Sequence, residues 1–188
     1  MLPGTVWSAL ARLSSDPVFD LSSAAGAKAA AQAQTLASPT ARSRARAQLR
    51  DGLMAREADL LLAWLSARAQ RQLYIVPVAD LESLRADDRI ALSGLSHPSS
   101  HMSGPSVVEG YVAERDVDAL VDRYWLEPPA PGEDANVVLH VSPLRPQHVS
   151  RLLLAADLAE HGGPREHQRA RELVAEVADD QAERRRDP

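Results

Sequence analysis

Four short apolar runs in the second part of the chain set the strongest limit on its fold. They are 73–76 (Leu-Tyr-Ile-Val), 89–95 (Arg-Ile-Ala-Leu-Ser-Gly-Leu), 107–112 (Val-Val-Glu-Gly-Tyr-Val) and 136–141 (Asn-Val-Val-Leu-His-Val). Each is too short for a stable helix, and the flanking Pro, Gly, Ser and Asp residues are those that end strands. Between them the period changes. Residues 80–87 read as a short helix with Asp80 as its N-cap, and 114–124 carries Val117, Leu120, Val121 and Tyr124 at helical spacing. Residues 96–105 are a Ser/His/Pro loop, and 128–134 are a Pro-rich acidic turn. Two helices follow, at about 147–161 and 164–184, with Gly162-Gly163-Pro164 between them. Glycine ends a helix and proline opens the next.

Upstream the pattern is mainly helical, with 21–37 either a helix packed through small side chains or a weakly ordered connector. Val6, Trp7, Leu10 and Leu13 mark a short helix over 5–14, stopped by Asp16-Pro17, and 21–37 is an Ala-rich stretch. From Ser38-Pro39-Thr40 to about residue 72, Leu49, Leu53, Leu60, Trp64 and Ala67 keep a 3.5–3.6 residue spacing, with Gly52 as a kink or break. The expected architecture is therefore α+β. A helical N-terminal third, 1–72, is followed by 73–188, a small mixed sheet with packed helices and a C-terminal helical hairpin.

Charge divides the chain at the same place. The net charge is −5, yet residues 1–75 hold nine Lys and Arg against five acids (+4), and 76–188 hold twelve Arg against 21 acids (−9). Such asymmetry points to two surfaces with different partners. Arg42, Arg44, Arg46 and Arg50 precede the first acid, Asp51, at the start of the long helix. The helix dipole disfavours cations there. These four arginines are the candidate nucleic-acid contacts, against the alternative of a solvated face in a chain where Lys28 is the only lysine.

The chain has no cysteine, which excludes a disulfide framework, a thiolate zinc site and a cysteine nucleophile. It shows no basic segment leading into an apolar signal, and no apolar window near the ~18 residues of a membrane span. A cytoplasmic protein without a membrane partner is expected. His97 and His101 are four apart but lie in the Pro/Ser loop with no carboxylate to complete a metal site, and His161 stands where a helix dipole favours a cation. There is no G-x-S-x-G, P-loop or G-x-G-x-x-G motif. The carboxylate pairs Asp87-Asp88, Glu133-Asp134 and Asp179-Asp180 read as solvated faces. No catalytic, cofactor-binding or metal residue is assigned, and a binding protein is expected rather than an enzyme. Aromatic residues make up 4%, too few for a single-strand stacking platform.

Two stretches carry a family likeness. One runs from Arg89-Ile90-Ala91-Leu92-Ser93-Gly94 through Val108-Glu109-Gly110-Tyr111-Val112, the helix 116–121, and Asn136-Val137-Val138-Leu139-His140-Val141. The other is Leu154-Ala155-Ala156-Asp157-Leu158-Ala159-Glu160, then Pro164-Arg165-Glu166 and Ala170. In this order they resemble, over about 73–180, the C-terminal domain of AbiEi-type (MenA-like) antitoxins. The resemblance implies an antitoxin encoded beside an AbiEii/MenT-type nucleotidyltransferase toxin that modifies tRNA acceptor ends, with neutralisation carried by this domain. Many members also repress their operon through an N-terminal winged helix; no strand–turn–strand precedes residue 73 here, so the N-terminal third departs from that pattern. An acidic domain is suited to a toxin that presents a basic face to RNA phosphates.

The candidate partner contacts are Tyr124, Trp125 and Leu126, an aromatic-rich turn beside acids. Asp157 and Arg165, from the D-L-x-x-x-x-x-P-R-E pattern, are candidates either for partner contact or for pairing across the hairpin turn. The alternative function is a DNA-binding regulator using the basic helix 40–72. Operator DNA and a second copy of the chain are the further partners these readings admit.

Overall fold

A computed structural model describes residues 69–102, 106–142 and 145–184. The described residues fall into two units, Ala69–Val149 and a second that begins at Ser150. The helical N-terminal third expected over 1–72 lies, up to residue 68, outside the described residues. The division at 149/150 falls inside what the sequence suggested was one domain.

The first unit is α+β. Its strands are β1 (Gln70–Tyr74), β2 (Ala91–Leu92), β3 (Val108–Ala113) and β4 (Val137–Ser142), in the order β1-β4-β3-β2. β1 runs antiparallel to β4, and β2 antiparallel to β3. The central pair β3–β4 is parallel. Parallel neighbours need a crossover, and helix α2 (Val117–Tyr124) lies in that connection. Helix α1 (Leu81–Arg85) joins β1 to β2 after a 3-10 turn, Val78–Asp80. Asp80, expected to cap this helix, stands at its N-cap position as the last residue of the 3-10 turn, but makes no side-chain cap bond.

Every residue of β3 and β4 is buried, as expected of central parallel strands covered on both faces. On one face Val108, Val112, Val137, Leu139 and Val141 pack with Leu81, Leu84, Ile90, Val117, Leu120 and Leu126 in a single apolar core. The period-two alternation puts Glu109, Tyr111, Val138, His140 and Ser142 on the other face. Asn136 stands just before β4, and its side chain takes the place of a strand residue: Val76 N donates to Asn136 Oδ1 (3.0 Å) and Asn136 Nδ2 donates to Val76 O (2.7 Å).

In the second unit, helix α3 (Arg151–Ala159) is buried from Leu152 to Leu158 without a break. Ser150 caps it, its hydroxyl accepting from Leu153 N at 3.3 Å. Helix α4 (Pro164–Arg184) opens on proline and buries Ala170, Leu173, Val174, Val177 and Ala178, one stripe at helical spacing. Arg151, at the start of α3, pairs with Glu176 and Asp180 near the end of α4, so the hairpin is antiparallel. Among the described residues no helix is long and apolar enough to cross a membrane.

Candidate functional site

Two polar arrangements in the sheet unit could carry function, one closed to solvent and one open to it. The closed one sits on the second face of β3 and β4. The parallel register sets Tyr111 beside His140, and their rings stack with centroids 4.9 Å apart. His140 Nε2 lies 2.9 Å from Glu109 Oε1, both side chains being 1% exposed. The other Glu109 oxygen accepts from Leu95 N at 2.8 Å. Ser96 completes the link, its hydroxyl donating to Val107 O and accepting from Glu109 N, each at 2.9 Å. A carboxylate is expensive to bury and is tolerated when such bonds surround it. The network fastens the 3-10 turn Gly94–Ser96 onto β3.

The open arrangement is built around the end of α2. The helix ends in a left-handed residue, Trp125 (φ 52°), and Leu126 N donates back to Val121 O at 3.1 Å. This bond defines a Schellman-type C-cap, where glycine is the usual left-handed residue. The turn sends neighbouring side chains in opposite directions: Leu126 enters the core at 3% exposure, while Trp125 is 81% exposed. Trp125 and Tyr124 border a concavity of about 700 Å³ lined also by Asp80, Ser83, Ala86, Asp87, Asp88 and Arg123. The Arg123 guanidinium stands 5.4 Å from the centre of the Tyr124 ring.

Asp87 is the anchor of this surface. Arg89 grips it through Nε to Oδ1 (2.8 Å) and Nη2 to Oδ2 (2.7 Å), and the Tyr124 hydroxyl lies 3.0 Å from Oδ2. The Asp87–Asp88 pair therefore does not form one solvated face: the Asp87 carboxylate is 5% exposed, while Asp88 is open to solvent. The Arg89 fork holds the Asp87 carboxyl well below the usual carboxylate range. Burial, then the bond to Asp87, pushes the Tyr124 hydroxyl up. A carboxylate whose folded pKa is depressed adds stability above its unfolded pKa near ~4, and that stability drains as pH falls towards the folded value. An Asp87→Asn variant is expected to lose about 1–2 kcal/mol at neutral pH. Urea unfolding of both proteins from pH 7 to pH 2 should show the gap between wild type and variant begin to narrow below about pH 4; a gap unchanged from pH 7 to pH 2 would show that the ion pair is not its source.

The other sequence candidates divide. Tyr124 is half-buried, with its ring against the core and its hydroxyl on Asp87. Leu126 is a core residue and presents no side chain to a partner. Asp157 is fully buried in α3, so it too leaves the contact surface, and Arg165 is exposed on the first turn of α4. Arg42, Arg44, Arg46 and Arg50 lie outside the described residues. His97 accepts from Ser99 N through Nδ1 and so caps the turn Pro98–Ser100. Among the described residues no three His, Asp or Glu side chains gather as a metal site. Sequence reasoning did not single out Glu109 and His140. The available signal was a charged or polar residue inside each of two otherwise apolar strand runs. Comparison with protein-family models, with curated proteins and with solved structures finds no match for this chain.

Proposed function

We propose that this chain is an antitoxin-like protein whose acidic sheet unit binds and neutralises a nucleotidyltransferase toxin through the surface around Trp125. The observation that carries the reading is Trp125 itself, a large aromatic residue 81% exposed in a left-handed backbone conformation. That conformation costs a non-glycine residue about 1–2 kcal/mol, and exposure of the ring gains nothing for the isolated fold. Tryptophan set in a rim of polar groups is the composition of an interface hot spot. Asp80 and Asp88 supply that rim with exposed negative charge. Residues 69–149 carry twelve acids against six arginines, which suits a partner with an RNA-binding, basic face. The likeness to AbiEi-type antitoxins names the class of toxin. Neutralisation then consists of an acidic surface occupying the face that would hold tRNA phosphates.

The test is co-expression with the product of the adjacent reading frame, followed by affinity measurement. A stable complex with a nucleotidyltransferase is expected. Trp125→Gly should weaken it by roughly thirtyfold, the effect of a hot-spot residue worth about 2 kcal/mol. The same variant should unfold within about 1 kcal/mol of wild type, since relief of the left-handed strain offsets the added chain entropy. A neighbour of another class, or no complex, would overturn the function. Unchanged affinity in the variant would overturn the surface.

A further inference from the structure

We propose that the outer edge of β1 is a docking site for an extended, basic segment of a protein partner, which joins the sheet as a fifth strand. The proposal rests on the protein-binding reading above and gives that partner a second, main-chain contact. The direction of the backbone groups establishes the edge. Val76 N and O are taken by the Asn136 side chain, on the β4 side. The groups of Ile75 therefore point the opposite way, where Ile75 N donates to Glu127 O (2.7 Å) and Glu127 N to Ile75 O (3.1 Å). By alternation along the strand, the next outward-facing groups of β1 belong to Leu73 and Arg71.

The chain's own return segment cannot cover them. Extending the antiparallel Ile75–Glu127 bridge would set residue 129 opposite Leu73 and residue 131 opposite Arg71. Both are proline in the run Glu127-Pro128-Pro129-Ala130-Pro131. Proline has no N–H to give to a ladder, so the pairing stops after one bridge. Among the described residues nothing else pairs with this edge, and Arg71 and Leu73 are both exposed. The register of β1 to β4 is unbroken over Gln70–Tyr74, without a bulge to turn the edge away. Natural sheets usually blunt such an edge with a bulge, a proline or several charges; Arg71 is the single charge in β1.

The distribution of exposed apolar groups coincides with it. Among the described residues the large exposed apolar ones are Leu73, Val78 and Trp125. Each lies in β1 or within three residues of the Ile75–Glu127 bridge that closes its end. An open ladder with an apolar side chain on it is the recognition mode of strand addition, in which main-chain bonds give affinity and alternate side chains give selectivity. Charge selects the occupant. The unit has twelve acids to six arginines, so a second copy meets like charge and a basic segment meets opposite charge.

Amide hydrogen exchange, read by NMR on the full chain alone and with the purified nucleotidyltransferase of the adjacent reading frame, tests this edge. The Arg71 and Leu73 amides should exchange freely in the isolated chain and slow by roughly tenfold or more in the complex. Leu73→Pro removes an outward N–H while leaving the bonds to β4, and should weaken the complex about tenfold, with thermal unfolding confirming that the variant is folded. A complex that forms with both amides still exchanging freely, and with Leu73→Pro at full affinity, overturns the edge assignment and leaves the Trp125 surface standing. Protection that rises with the concentration of the chain alone assigns the edge to a second copy and also overturns the proposal. Failure to form any complex removes the functional reading, and this assignment with it.

Discussion

Replacing His140 with alanine is expected to lower the unfolding free energy by about 3–5 kcal/mol, a large share of what a domain of this size possesses. Three losses add. Glu109 keeps its carboxylate at 1% exposure and loses the ring nitrogen 2.9 Å away. Breaking one side of a buried pair leaves the other group desolvated without its partner, and that penalty exceeds the net worth of the pair. The Tyr111 ring loses its stacking partner. The space left in a covered sheet face is a cavity, since β3 and β4 are fixed on both sides by paired strands. Glu109→Gln is the milder change. It keeps the shape of the side chain and an oxygen for Leu95 N, and should cost about 1–2 kcal/mol. Urea unfolding with the slope checked for constancy measures both. A His140→Ala cost below about 1 kcal/mol would show that the pair is not what fastens the 94–96 turn to β3.

The strands were legible because their signal is local, and they lost accuracy where a distant group intervenes. The run 89–95 reads as one strand, yet only Ala91–Leu92 pairs with β3. At its start Arg89 N and Ile90 N are already bonded to Asp87. At its end Gly94 turns left-handed and Leu95 N is taken by the Glu109 carboxylate, fourteen residues away. The partners lie in different elements, so the pattern of the run itself does not show these bonds. The crossover helix shows the same limit at the level of one residue. Helical spacing put Val117, Leu120, Val121 and Tyr124 on one face, and all four are in or against the core. It says nothing of the residue after the last turn, where the bond from Leu126 N to Val121 O alone decides that Trp125 faces water and Leu126 does not. Asp87 and Asp88 are alike in sequence and separate in structure because Arg89 can fold back onto only one of them. Pro129 and Pro131 were visible as turn residues. Their effect on β1 needed the Ile75–Glu127 register.

Gly94→Ala should be as damaging as His140→Ala, at about 3–5 kcal/mol, for a reason that a second glycine isolates. Gly94 has φ +51°, and a Cβ built there falls within the Glu109 carboxylate. Gly162, in the α3–α4 joint, has φ +71° and nothing within 4 Å of the same added atom. Gly162→Ala therefore reports the left-handed strain alone, about 1 kcal/mol. Gly94→Ala adds displacement of a buried carboxylate from Leu95 N and His140 to that strain. The difference between the two, read by the same denaturant titrations, measures how firmly Glu109 is held. Near-equal costs would mean that the carboxylate swings aside freely, and the closed network would then be a packing convenience rather than the clamp that fixes the 94–96 turn. A difference of about 2 kcal/mol or more ties that turn, and through β3 the parallel pair that carries the crossover helix and Trp125, to one buried acid.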